Sequence, residues 1–282
     1  MDKNRTFDEK AILLDCPGAT RILEGFIKDE LTKAGFTKGV IGLSGGVDSA
    51  VSAAISVKAL GPENVLGIIL PYKLSNPSSM EDAHAVANQL GMEVRTIDIT
   101  PMVDPYFEHY EPDADGVRRG NVMARQRMIV LYDISQKEKA LVIGTGNRTE
   151  ILLGYSTIHG DSAHALNPLG DLLKTQVWQL AEYYSLPEQV ISKAPSADLW
   201  EGQTDEDELG FDYRTADKVI TLMVDQRLSS DAIQEYGFSK KVIERISHLM
   251  KVNQFKRMPS IIAKLSHRTV GRDFRYPRDW GL

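Results

Sequence analysis

Four short apolar runs, each divided from the next by a stretch of helical character, limit what this chain can fold into more than any other feature. They span residues 39–43, 65–70, 94–99 and 141–144. Before the first lies a segment over 18–34 that places Ile22, Leu23, Phe26, Ile27 and Leu31 at helical spacing. Between the runs the pattern predicts helices over 49–60, 80–90 and 121–137. Parallel neighbours need long crossover connections, so strands alternating with helices imply a parallel, doubly wound sheet of the α/β class. The unbroken apolar character of 65–70 and 141–144 fits strands covered on both faces. Such sheets bind their ligands outside the C-terminal strand ends. The loops after Leu43, Leu70 and Gly144 are therefore where chemistry is expected.

From Leu172 onward the pattern is helical, over 174–185, 188–193, 213–225, 229–236 and 239–253, punctuated by Pro187 and Pro195. No repeat or low-complexity linker divides the 282 residues. The chain reads as one domain over 1–282, with an α/β nucleotide-binding core over 18–170 and a helical C-terminal extension with a basic tail over 171–282. Cys16 is the one cysteine, which excludes an intramolecular disulfide framework and a multi-cysteine zinc site and suits a reducing compartment. No apolar run approaches the roughly 20 residues that span a bilayer, and no signal-type apolar core follows the N-terminus. A cytoplasmic protein with no membrane partner is expected.

The net charge of −6 disfavours nucleic acid as a partner. It is unevenly spread. Residues 251–282 hold eight Lys/Arg against two Asp/Glu, either a solvated basic surface or a lid over an anionic small molecule. Residues 198–212 hold seven carboxylates and no Lys/Arg, and read as a mobile surface loop.

The strongest chemical signal is Gly42-Leu43-Ser44-Gly45-Gly46-Val47-Asp48-Ser49, between an apolar strand and a helix. Gly45 and Gly46 can take positive φ and bring backbone close to a bulky anion. Ser44 and Ser49 supply hydroxyl donors, and a helix starting near Ser49 points free N–H groups and its positive dipole end at phosphate. Asp48 would repel phosphate unless a divalent cation lay between them. The loop has no lysine, so it is not the kinase-type phosphate loop.

These residues resemble the pyrophosphate loop of the N-type ATP pyrophosphatases, which cleave ATP between its α and β phosphates and adenylate an acceptor oxygen. Later segments narrow the resemblance. They are Asn121-Val122-Met123-Ala124-Arg125-Gln126-Arg127-Met128, Gly144-Thr145-Gly146-Asn147-Arg148-Thr149-Glu150 and Gly154-Tyr155-Ser156-Thr157-Ile158-His159-Gly160-Asp161. Pro168-Leu169-Gly170-Asp171-Leu172-Leu173-Lys174-Thr175, Ala194-Pro195-Ser196-Ala197-Asp198-Leu199, Asn253-Gln254-Phe255-Lys256-Arg257 and Gly271-Arg272-Asp273-Phe274-Arg275-Tyr276-Pro277 follow. In that order and spacing the chain is similar to the NAD synthetase family from Gly18 to Tyr276.

The resemblance implies an adenine-nucleotide α-hydrolase-like sheet and a homodimer with the dinucleotide bound across the subunit interface. It implies ATP as co-substrate, Mg²⁺, ammonia and deamido-NAD (nicotinic acid adenine dinucleotide). ATP adenylates the nicotinate carboxylate and releases pyrophosphate; ammonia then displaces AMP. By position, Gly42 through Ser49, Thr145, Lys174 and Ser196 would bind ATP, with Asp48 and Lys174 catalytic and Asp48 a Mg²⁺ ligand. Glu150 falls where one branch has a Mg²⁺ ligand and another a dinucleotide contact. Asn121, Arg125, Tyr155, Ser156, Thr157 and Lys256 fall where deamido-NAD is held. Arg125 and Arg127 lie two apart on a helix and face different ways, so only Arg125 is expected at the ligand.

Two positions depart from the stand-alone ammonia-dependent branch, which typically has lysine at Ile158 and aspartate at Ala165. The segment from Gly271 to Pro277 instead resembles the glutamine-dependent enzymes, yet no glutaminase domain is expected, and Cys16 has no nucleophile-type setting. The amide nitrogen is expected from free ammonia or from a separate glutaminase chain. Two other readings compete: another ATP pyrophosphatase, such as a tRNA thiolase or a GMP synthetase subunit, and a non-catalytic ATP-binding sensor. Thiolases usually need catalytic cysteine pairs and a more basic body. A sensor has no need of Asp48, Thr145, Glu150 and Lys174 together. His159 and His164 flank Asp161, but two histidines without a third ligand read as loop residues rather than a metal site.

Overall fold

A computed structural model describes residues 5–196 and 204–269. The apolar runs become β1 (Lys38–Gly42), β2 (Val65–Ile69), β3 (Glu93–Thr96) and β4 (Ala140–Ile143), all parallel and in the order β3-β2-β1-β4. The chain steps outward from β1 to β3, then crosses back to the far side of β1 as β4. Strand order thus reverses between β1 and β4, and a crevice opens at their C-terminal ends.

Side-chain alternation builds a core on each face. Ile41, Val65 and Ile69 meet α1 (Cys16–Lys33), α2 (Val47–Leu60) and α3 (Pro77–Leu90). Val40, Leu66 and Ile68 meet α4 (Thr100–Tyr110) and α5 (Gly116–Glu138). The small side chains of α2 let it lie close to the sheet; Ala50, Ala53 and Ala54 are fully buried, and Ser52 Oγ donates to the Gly144 carbonyl at 2.8 Å. That bond ties α2 to the end of β4.

The helix over 49–60 starts two residues earlier than expected, at Val47. α4 was not foreseen, because Pro101 and Pro105 disguise it. Pro101 sits in the first turn, where its missing N–H has no partner to lose; only Pro105 removes an internal bond. The third apolar run ends as a strand at Thr96, but its ladder continues through Ile97 N to Ile69 O and Ile99 N to Pro71 O, both 2.9 Å.

α6 (Arg148–Leu153) follows β4, and the extension holds α7 (Lys174–Tyr183), α8 (Glu188–Ser192), α9 (Asp205–Leu209), α10 (Tyr213–Ile220), α11 (Ser230–Gln234) and α12 (Lys240–Val252). Val177, Leu180 and Ala181 of α7 are fully buried against the sheet core, so the apolar stripe of that helix is core. α10 to α12 close a second core with Phe7 and Ile12. The acidic segment departs from its surface-loop reading: over 204–212 it forms α9, with Asp205 and Leu209 buried. Asp198, Glu201 and the motif from Gly271 to Pro277 lie outside the described residues.

Candidate active site

At the end of β1 the chain turns sharply and enters α2. Gly45 has φ +80°, and a Cβ there would stand 2.1 Å from the Ser79 carbonyl oxygen, so only glycine fits. Ser49 Oγ donates to Gly46 O at 2.9 Å and accepts from Ser44 N at 3.3 Å, while Gly46 N donates to Ser44 Oγ at 3.2 Å. The two hydroxyls therefore brace the loop rather than stand free. Gly46 caps α2 without a side chain, which leaves the N–H groups of the first turn for an anion.

The loop opens on a cavity of about 980 Å³, at the upper end of the ~300–1,000 Å³ usual for small-molecule sites. Gly42, Ser44, Gly46, Val47, Asp48 and Ser49 line it; Leu43 belongs to the core instead. Thr145, Lys174 and Ser196, also expected at ATP, line it as well, as does Glu150, whereas Gly45 is not among its lining residues.

At its heart two carboxylates share one ammonium. Lys174, 2 % exposed at the start of α7, donates to Asp48 Oδ2 and, at 3.2 Å, to Glu150 Oε1. Burial alone would lower the Lys174 pKa, but Asp48 and Glu150 outweigh it and hold the ammonium above its ordinary range. Its Nζ also lies 5.0 Å over the Tyr213 ring. Glu150 is raised by burial and by the Asp48 charge, against the pull of Lys174. One lysine thus leaves the pair short of positive charge.

Asn147, fully buried, sets this geometry. Its Nδ2 donates to Asp48 Oδ1 at 2.8 Å, and its Oδ1 accepts from Glu150 N at 2.9 Å. Glu150 returns a capping-box bond, accepting from Asn147 N at 3.2 Å through Oε2. Glu150 is both a helix cap and a member of the acid pair. Two convergent carboxylates fit Mg²⁺, which takes hard oxygen donors and completes its shell with water and phosphate.

The other half of the cavity is built on the segment after α6. Thr157 Oγ1 donates to Asn121 Oδ1 at 2.9 Å, and Lys256 Nζ donates to the Gly154 and Ser156 carbonyls at 2.7 Å each. Tyr155 donates to Glu208 Oε2 at 3.1 Å. Asn121, Tyr155, Ser156, Thr157 and Lys256 all line the cavity. The arginines are reversed from expectation: Arg127 lines it, held by Nε to Leu70 O at 3.0 Å, whereas Arg125 turns to the Ile158 carbonyl at 3.3 Å. The helix faces do diverge, but α5 presents the second one. His159 is exposed and His164 packs against Gly144, and among the described residues no group of three or more His, Cys, Asp or Glu could hold a metal.

Several residues here escaped the sequence reading. Asn147 sits in the segment after β4, where an amide carries no charge or metal-ligand signal to mark it. Lys193 donates to Asp82 at 2.8 Å and to Ser79 Oγ at 3.1 Å on the cavity wall. Asp205 and Glu208 were visible only as part of an acidic run, and nothing in sequence marked Tyr213.

A family model described as NAD synthase matches residues 19–260. The chain belongs to the NAD synthase family. An NH(3)-dependent NAD(+) synthetase of Trichlorobacter lovleyi is 53 % identical over 93 % of this chain and 95 % of its own length. That of Chlorobaculum parvum is 49 % identical over 92 % and 93 %. Among solved structures, the NH3-dependent NAD synthetase of Campylobacter jejuni aligns with TM-score 0.75 and 32 % identity, covering 89 % of this chain and 100 % of that one. An NMN synthetase of Francisella tularensis aligns with TM-score 0.80 and 34 % identity, over 89 % and 99 %. The chain is a C–N-bond-forming ligase of that family, with the parallel α/β fold that its sequence implied.

Proposed function

We infer that this enzyme amidates deamido-NAD to NAD, using ATP and ammonia and releasing AMP and pyrophosphate. The observation that carries this reading is the Asp48–Lys174–Glu150 cluster beside an uncapped helix N-terminus, facing a second half-cavity built on residues 154–157.

A carboxylate is a poor acyl donor because its leaving group would be oxide. Attack of the nicotinate oxygen on the ATP α-phosphorus breaks the bond to the β-phosphate and gives an acyl adenylate, whose leaving group is AMP. Ammonia nitrogen then forms the C–N bond as the C–O bond to AMP breaks. In the first step charge gathers on the phosphate oxygens, and fixed donors are worth most there. The first-turn N–H groups of α2 hold the phosphates in line. Lys174, kept charged by its two acids, places a cation at the mouth of the loop. Mg²⁺, held by Asp48 and Glu150, would neutralise the departing pyrophosphate. Asn121, Tyr155, Ser156, Thr157 and Lys256 orient the dinucleotide, with Arg125 bracing the Ile158 carbonyl behind them, and Thr145 and Ser196 contact ATP.

The active form is a homodimer. Met102, Tyr106, Tyr110, Val117, Ile129 and Tyr132 leave large apolar surface exposed along α4 and α5, next to the dinucleotide side of the cavity. Cytoplasmic localisation is supported by the lone cysteine, and no described helix is long and apolar enough to cross a membrane. Free ammonia or a separate glutaminase chain supplies the nitrogen.

The test is pyrophosphate and AMP release with ATP and Mg²⁺, comparing deamido-NAD with nicotinic acid mononucleotide. Turnover that requires deamido-NAD is expected. Turnover on the mononucleotide alone, or ATP cleavage indifferent to either acid, would refute the assignment.

A further inference from the structure

Lys193 lines the cavity, and the reaction scheme gives it no task. It follows α8, whose Val190 is fully buried in the sheet core, and its own backbone has left the helix at φ −62° and ψ 132°. Its ammonium reaches across to α3. Nζ donates to Asp82 Oδ2 at 2.8 Å and to Ser79 Oγ at 3.1 Å. Asp82 is 8 % exposed and stands behind the wall, outside the cavity lining. An ammonium that meets a buried carboxylate and a hydroxyl together is fixed in direction, unlike the exposed pairs that contribute little.

The elements joined in this way both border the ATP half of the cavity. Ser79 belongs to the first turn of α3, and its carbonyl oxygen abuts the phosphate loop, 2.1 Å from where a Cβ on Gly45 would stand. On the other side, Lys193 leads through Ala194 and Pro195 to Ser196, which lines the same cavity. Pro195 O accepts from Asp205 N at 3.0 Å, a second anchor, to α9. Lys193 thus ties the segment that carries Ser196 to the helix that backs the phosphate loop. The dinucleotide side is fastened separately, by Thr157 to Asn121 and by Lys256 to the Gly154 and Ser156 carbonyls.

We propose that Lys193 is a positioning residue for ATP, holding the Ser196 segment against the phosphate loop through Asp82 and Ser79. The proposal rests on the assignment of ATP to this half of the cavity made above. A site whose walls must be brought together at the moment of binding loses affinity to that ordering, so a tie made beforehand strengthens binding. Chemistry at saturating ATP still has the Asp48–Lys174–Glu150 cluster and is spared.

The test compares Lys193→Met, Asp82→Asn and the double variant in the full chain, following pyrophosphate release with deamido-NAD, ammonia and Mg²⁺. Lys193→Met should raise the KM for ATP about ten-fold, with kcat and the KM for deamido-NAD within about two-fold of wild type. Asp82→Asn separates position from charge. By field alone, losing an acid near the site would favour anionic ATP and lower its KM. A positioning tie predicts the opposite: a KM for ATP raised about three-fold or more, and a double variant no worse than Lys193→Met. An unchanged ATP KM in Lys193→Met, or an unchanged or lowered one in Asp82→Asn, overturns the proposal. So do effects that add, or a deamido-NAD KM that rises equally. Should Lys193→Met not fold, Asp82→Asn decides alone by the same criterion. Wild-type enzyme that releases no pyrophosphate from ATP would instead overturn the underlying reaction, so the two failures are distinguishable.

Discussion

Asn147 does more beside the acid pair than its neutral side chain suggests, because one amide orients Asp48 and caps the helix that carries Glu150. Asn147→Ala should cost about 0.5–2 kcal/mol of stability, the usual worth of such a cap. It should lower the rate by about ten-fold or more as Asp48 loses its alignment. A denaturant midpoint beside a pyrophosphate-release assay checks both; unchanged activity would mean that Lys174 alone aligns the acid. Gly45 works through absence. Its φ of +80° and the Ser79 carbonyl leave no room for a methyl, so Gly45→Ala should displace α3 or the loop and weaken ATP binding. Calorimetric titration with ATP would detect that, and retained affinity would refute the steric account.

Among the elements, α7 depends on a buried acid contributed by α10. Asp217, fully buried, accepts from Thr175 N at 2.7 Å and from Thr149 Oγ1 at 2.5 Å, and Thr149 Oγ1 in turn accepts from Lys174 N at 3.1 Å. One carboxylate so locks the N-terminus of α7 to α6, and with it Lys174 to Glu150. Asp217→Ala would strand two buried donors at about 1–3 kcal/mol each. The expected outcome is a clear loss of stability together with a lower kcat at nearly constant KM for ATP, since the phosphate loop is untouched. A variant equally stable and active would show that packing alone positions the helix. The segment after α12 works in a similar way: Asn253 Nδ2 donates to Leu153 O at 2.8 Å and Arg257 donates to Leu152 O at 2.7 Å, fastening the end of α6.

On the scale of the molecule, pH acts through groups that folding buries. His164 is held below its ordinary pKa by burial, so the folded protein resists a proton that the unfolded chain accepts. Its contribution to stability is present above the unfolded pKa of about 6.5 and is lost as pH falls through the lower folded value. The melting temperature should therefore drop between pH 7 and pH 5, and His164→Asn should shrink that drop in calorimetric scans. An equal drop in the variant would place the acid sensitivity elsewhere.

The sheet was legible because parallel strands covered on both faces must be written as apolar runs, and the sharp turn from β1 into α2 because its φ of +80° must be written with glycine. Lys174 at a helix start and Glu150 after β4 were legible by resemblance. α4 was not, since its two prolines look like breakers until the tertiary packing of Val103 and Phe107 outweighs the lost bond. Arg125 and Arg127 could be set on opposite faces from spacing, but which face meets the cavity depends on how α5 lies across the sheet. The acids at 205–208 looked like surface charge, because sequence records charge density and not the burial of Asp205, which accepts from the Tyr213 hydroxyl. Periodicity and turn chemistry are local, and one chain carries them whole. Which carboxylates converge on a single ammonium is set by helices that are distant in sequence, and only their packing decides it.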